Sequence, residues 1–177
     1  MTHSTLISNT AGYRGGALNG QGNTVFTLIA SQVLSNTAAG GGGIAAGHNT
    51  NTTLMDSVVA YNNSTGSGGG IHNLADTVTI DHSAIYRNSA TNLGGAIYNG
   101  SGGVADVINS TLSSNTANGG DSAIFQSYGL TTTLVARRLP ITVVTMVLCS
   151  SAAAPWCSAI QSLPTAGQTV PLRTAER

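Results

Sequence analysis

The side chains able to do chemistry are few. Up to residue 130 the chain holds five aspartates (Asp56, Asp76, Asp81, Asp106, Asp121), no glutamate, two arginines (Arg14, Arg87) and four histidines (His3, His48, His72, His82). Hydrolysis of a glycosidic bond needs two carboxyl groups within about 5–10 Å of one another, and no carboxylate dyad facing one groove is visible. The histidines lack metal-ligand spacing, so no metal and no cofactor is expected. No glycine cluster is followed by lysine, which removes a phosphate-binding loop, and no catalytic residue is assigned. Two arrangements remain. Asp56 and His82 would stand about 5 Å apart along a strand ladder as a cross-coil polar pair, with Asp81 pointing elsewhere. His72, Tyr98 and Phe125 would form an outward stripe of planar groups, a normal ladder of like residues that a carbohydrate could also stack on. Sequons at Asn51, Asn63, Asn99 and Asn109 matter only in a glycosylating secretory pathway.

Both arrangements presuppose a repeat. The motif Ser-x-apolar-x-x-Asn recurs as Ser4-Leu6-Asn9, Ser31-Val33-Asn36, Ser57-Val59-Asn62, Ser83-Ile85-Asn88 and Ser110-Leu112-Asn115, with asparagine steps of 27, 26, 26 and 27. A glycine-rich motif keeps the same beat, from Gly15 to Leu18, Gly41 to Ile44, Gly68 to Ile71 and Gly94 to Ile97, with a degenerate copy at Asp121-Ser122-Ala123-Ile124. A third short alternating run, such as Thr77-Val78-Thr79-Ile80, lies between them. Three alternating runs per unit, separated by Gly and Asn, predict three strands and three turns, and no stretch has a helical period. One such unit cannot bury its apolar face, whereas stacked units can, each strand pairing with its copy in the next coil. The inward rows are then Leu6/Val33/Val59/Ile85/Leu112, Leu18/Ile44/Ile71/Ile97/Ile124, Leu28/Leu54/Ile80/Val107 and a less uniform Phe26/Thr52/Val78/Ala105. Asn9, Asn36, Asn62, Asn88 and Asn115 would form a structural ladder at a coil corner, where Asn tolerates left-handed backbone and its amide can bond to its copies. The glycine pairs allow tight bends. The expected fold is all-β: a parallel β-helix, or solenoid, of about five 26–27-residue coils over residues 1–130.

At this level the chain resembles a known family. Paired GGA[ILV] and FxxN motifs characterise polymorphic outer-membrane proteins, and recur in bacterial surface proteins with right-handed, single-stranded parallel β-helix passengers of the pectin-lyase-like class. Here the pairs stand as GGAL with LISN, GGGI with VLSN, GGGI with VAYN and GGAI with IYRN, with the family's Phe replaced by Leu, Val or Ile. The resemblance implies a right-handed helix and an extracellular, cell-surface or outer-membrane location. It also implies a non-catalytic scaffold of the adhesin or autotransporter-passenger kind, meeting host or environmental glycans or proteins. A polysaccharide-active, pectate-lyase-like enzyme or a carbohydrate-binding module is the alternative.

Composition narrows the partners. Net charge is zero, 7% of residues are charged and lysine is absent, which excludes a nucleic-acid stripe. A 41% apolar content argues against charge-driven disorder. The averages hide a seam: 22 of 23 glycines and all 15 asparagines lie before residue 131, while all four prolines, both cysteines and the tryptophan lie after it. Residues 131–177 read as a non-repeat tail of low order. Its apolar run from Ile141 to Ala154 is short for a membrane span of about 20 residues, so no transmembrane helix is expected, and Cys149 and Cys157 could pair. A shifted reading frame accounts for the tail better. Back-translated one base off register, the codons from Ile141 onward allow Asn-Ser-Gly-Asp-Asn-Gly, with the first Asn where the repeat requires one. Met1 enters three residues before a repeat serine, as in a piece of a larger protein, and the open solenoid ends invite self-association. The nucleotide sequence checks the frame: the repeat should resume in the alternative frame, and its absence there sinks the idea.

Overall fold

The chain builds four parallel ladders, one more than the alternating runs suggest. The computed structural model describes residues 1–74, 77–100, 102–126, 131–135, 146–149 and 158–160; Cys157 of the proposed cysteine pair and most of the tail read as frame-shifted lie outside them. The first sheet stacks Thr5–Ile7, Gln32–Leu34, Val58–Ala60, Ala84–Tyr86 and Thr111–Ser113. The third stacks Leu18–Gly20, Ile44–Ala46, Ile71–Leu74, Ile97–Gly100 and Ile124–Gln126, then Met146–Cys149 in parallel and Ser158–Ile160 antiparallel. The fourth stacks Thr24–Ile29, Thr50–Met55, Thr77–Asp81, Val104–Ile108 and Thr131–Val135, so this ladder keeps its register to Val135. The second sheet, Thr37–Ala38, Asn63–Ser64, Ser89–Ala90 and Thr116–Ala117, has strands of two residues. Two residues are too few to display alternation, which is why the sequence shows three runs rather than four.

The result is a parallel β-solenoid of about five turns, with no helix among the described residues. Its interior consists of like side chains in register: Val33 with Val59 and Ile85, Ile44 with Ile71, Ile97 and Ile124, Leu28 with Leu54 and Ile80. All of these are buried, while Leu6 and Leu112, in the first and last of the five first-sheet strands, are half-buried. Thr52 is fully enclosed between Phe26 and Val78 with no hydrogen-bond partner for its hydroxyl, the one flaw in that row.

Hydrogen bonds at the corners carry the rest. The Asn62 carboxamide makes all the bonds an amide can make. Its Oδ1 accepts from the backbone N–H and the Nδ2 of Asn36, at 2.9 and 3.0 Å. Its Nδ2 donates to the Val33 carbonyl and to Asn88 Oδ1, both at 2.9 Å. The pattern runs from Asn9 through Asn36, Asn62 and Asn88 to Asn115. The ladder asparagines are not the left-handed residues. That conformation falls one position earlier, on Ser8, Ser35, Tyr61, Arg87 and Ser114, with φ between 53° and 58°. The left-handed bend turns the following asparagine inward, where its side chain replaces the strand bonds that the corner interrupts. The motif serines form a second ladder, each backbone N–H donating to the next coil's hydroxyl, as from Ser31 to Ser57 at 3.1 Å.

The glycine pair has two separate jobs. Gly41 turns the chain at φ +64°, and a Cβ there would lie 2.3 Å from the Ile44 carbonyl oxygen. Gly42 has an ordinary φ, but its Cβ would lie 2.5 Å from the carbonyl oxygens of Asn63 and Gly69 in the next coil. The first glycine makes the corner and the second lets coils approach. In the degenerate copy Asp121 takes the left-handed position at φ 39°, and Ile124 is still fully buried.

Replacing Asn62 with alanine would strand the buried donors of Asn36 and the Val33 carbonyl. We expect a loss of about 3 kcal/mol in denaturant unfolding for this mid-ladder change. The same change at exposed Asn9, bonded on one side only, should cost under about 1 kcal/mol. Equal costs would show that the ladder is not what joins the coils.

Candidate functional site

Three groups of side chains stand out, and the structure rearranges two expected from the sequence. Asp56 and His82 occupy the same corner in successive coils, both left-handed, at φ 50° and 46°. The His82 ring, however, turns back along its own chain, and its Nδ1 lies 2.7 Å from Asp81 Oδ1. Asp81 therefore does not point elsewhere. The left-handed bend at His82 returns its side chain to the end of the preceding strand. Asp56 approaches Asp81 only through its backbone, its N–H donating to the Asp81 carbonyl at 3.2 Å. The His82 side chain is 59% exposed, and the corner is open to water.

His72, Tyr98 and Phe125 stack in register on the third sheet. The His72 and Tyr98 rings meet edge-on with centroids 4.7 Å apart, and Tyr98 lies parallel to Phe125 at 5.0 Å. They do not form an exposed stripe: His72 and Phe125 are 9% and 8% exposed and Tyr98 is half-buried. The rings cover one another, and the Gly40 corner abuts the imidazole so closely that a Cβ there would lie 2.7 Å from its Nδ1. A sugar cannot reach the faces of these rings. His72 Nδ1 has no hydrogen-bond partner. Burial, and then the nearby Arg14 charge, lowers its pKa from 6.5 to about 4.

The third group is absent from the sequence reading. Tyr61 and Tyr86 pack edge to face, 5.6 Å between centroids, in neighbouring coils. The Arg87 guanidinium lies 5.6 Å from the Tyr61 ring centre, and its Nη1 donates to the Tyr61 hydroxyl oxygen at 2.8 Å. The signal was available. Tyr61 and Arg87 fill a column that is serine in the other coils, at Ser8, Ser35 and Ser114. A second buried pair was also missed: Asn73 Nδ2 donates to Asn99 Oδ1 at 2.8 Å inside the coil. Asn99 is fully buried, so its sequon is enclosed in the fold, whereas Asn51 and Asn63 are exposed.

The cleft lined by Leu112, Ser113, Ser114, Asn115, Ser122 and Ala123, about 140 Å³ in volume, contains no titratable side chain. No cluster of three potential metal ligands occurs among the described residues.

The chain matches no family model, and neither a curated protein nor a solved structure matches it. The fold is therefore argued from the chain's own ladders.

His72 yields a measurable consequence. Its folded pKa of about 4 lies below the ordinary 6.5, so its neutral form supports the fold fully above pH 6.5. That support falls as pH drops from 6.5 to 4, by roughly 3 kcal/mol in all, and does not change further below. His72→Phe keeps a ring against Tyr98 and removes the titration. Between pH 7 and 4.5 the wild type should lose about 2–3 kcal/mol more unfolding free energy than the variant; parallel pH profiles would refute the assignment.

Proposed function

We propose that the chain is part of a non-catalytic, secreted or cell-surface β-helix scaffold of the adhesin or autotransporter-passenger kind. The observation that carries this reading is the use of polar side chains. Asn36, Asn62 and Asn88 are buried and occupied in coil-to-coil bonds, as are the motif serines Ser31, Ser57 and Ser83. Of the described carboxylates and their histidine partners, Asp56, Asp81, His82 and Asp106 lie along the open side of the fourth sheet, Asp121 at the degenerate corner, and His72 under its neighbours. Acid–base chemistry needs such groups convergent on one substrate atom. The GGA[ILV] and FxxN pairing adds the surface location and the polymorphic-outer-membrane-protein-like, pectin-lyase-like lineage to this proposal. Host or environmental glycans or proteins are the partners that such a display scaffold would meet.

A polysaccharide-cleaving enzyme remains the second reading, on one observation. Asp81 and Asp106 project from the same face of the fourth sheet in adjacent coils, where Thr79 pairs with Asp106 and Asp81 with Ile108. Such a diagonal pair of carboxylates is separated by about the 6.5–9.5 Å of an inverting glycosidase. The face is a flat ladder rather than a groove, so nothing excludes bulk water or distorts a sugar ring. Incubation with polygalacturonate, xylan and cellulose should release no reducing ends or unsaturated products above a protein-free blank. Turnover that Asp106→Asn abolishes would overturn the scaffold reading.

A further inference from the structure

At the Tyr61–Tyr86–Arg87 group the repeat is broken in a backbone conformation that short polar residues tolerate best. The left-handed corner before each ladder asparagine accepts serine in three coils. A non-glycine residue pays for that conformation, and short polar residues tolerate it best. In two adjacent coils the position instead carries Tyr61 at φ 58° and Arg87 at φ 53°. In the first-sheet column beside it, occupied by Ile7, Leu34, Ala60 and Ser113, the same coil carries Tyr86. Two departures from the serine column, Tyr61 and Arg87, meet Tyr86 of a mixed column in one patch.

We propose that this patch binds one carboxylated sugar unit, of the uronic- or sialic-acid type, at the end of a glycan. The inference rests on reading the chain as a binding scaffold rather than an enzyme. Arg87 is exposed and held in place twice, by its bond to the Tyr61 hydroxyl and by its position at the Tyr61 ring. Beyond the bond to Tyr61, its five-donor planar fork makes no hydrogen bond to a described residue and has the geometry that matches a carboxylate. The surrounding positions Ser35, Asn63, Ser89, Ser113 and Ser114 carry no charge, so no acid of the patch answers the guanidinium. Tyr61, 46% exposed, offers ring surface to the C–H face of a pyranose, and the serine and asparagine groups offer partners to its hydroxyls. The two tyrosine rings lie 5.6 Å apart in adjacent coils, a span that one sugar ring rather than a polymer fills. A protein partner is disfavoured, because a stable protein interface needs roughly 800 Å² per side around an apolar centre, and the patch is ringed by serine and asparagine.

The test uses the full 177-residue chain. A glucuronic-acid-terminated disaccharide and its glucose-terminated counterpart, and sialyllactose against lactose, are titrated by calorimetry or NMR. The acidic sugar of each pair should bind at least about tenfold more tightly, as a charge-assisted contact provides. Added salt should weaken it. Arg87→Ser installs the residue that other coils use at this corner, so Tm should hold while preference for the acidic sugar disappears; Ser8→Ala, at the same corner two coils from Tyr61, should bind like wild type. Equal binding of acidic and neutral sugars, unchanged binding by Arg87→Ser, or an aspartate-rich peptide binding as tightly as the sugar would each overturn the proposal. Absence of binding with polysaccharides left intact defeats this site alone, whereas cleavage of the polysaccharides defeats the scaffold reading beneath it.

Discussion

Everything in this fold depends on each residue stacking on its own copy one coil away. Parallel pairing sets neighbouring coils about 4.8 Å apart, too close for side chains of different shape or polarity to be exchanged freely along a column. A branched aliphatic packs best with a branched aliphatic above and below, as in Ile44, Ile71, Ile97 and Ile124, although Val78 stacks between Thr52 and Ala105. A buried carboxamide needs another carboxamide, because only its copy offers a matching donor and acceptor at that spacing, as between Asn62 and Asn88. The same closeness forbids a Cβ at Gly42 and Gly69, each of which faces a carbonyl of the next coil. Period, core and corner chemistry are three expressions of one distance.

This constraint explains what was legible in the sequence. The rows built on Val33, Ile44 and Leu54 could be read directly, because repetition along a column and alternation along a strand are both visible in one dimension. The second sheet was hidden because Thr37–Ala38 is too short to alternate. The left-handed position falls one residue before the repeated asparagine, which the pattern does not reveal because Asn and Ser both tolerate that conformation. The reversed direction of the His82 ring and the covering of His72 by the Gly40 corner depend on how consecutive elements bend, which no column records.

Candidate sites follow the opposite logic. In a protein whose columns must repeat, a uniform column reports on stacking, and a residue free of that demand stands where a column fails. His72, Tyr98 and Phe125 satisfy the ladder by packing as rings on rings, and they are buried accordingly. Tyr61 and Arg87 depart from a serine column and stay at the surface. Asp121 and Ser122 depart from a glycine pair, yet Ile124 keeps its place, so the aliphatic row outlasts the corner that introduces it.

The asparagine ladder also has a direction. Every asparagine-to-asparagine side-chain bond runs from the Nδ2 of one coil to the Oδ1 of the following one, without reversal from Asn9 to Asn115. Aligned amides polarise one another, so the column behaves as a single dipole laid along the solenoid axis, as stacked peptide groups do in a helix. Its two poles differ in kind: an acceptor oxygen leads at Asn9, and donor hydrogens trail at Asn115. A coil joining this column therefore meets a different chemistry at each pole, and the stack has a built-in polarity that its uncharged composition conceals.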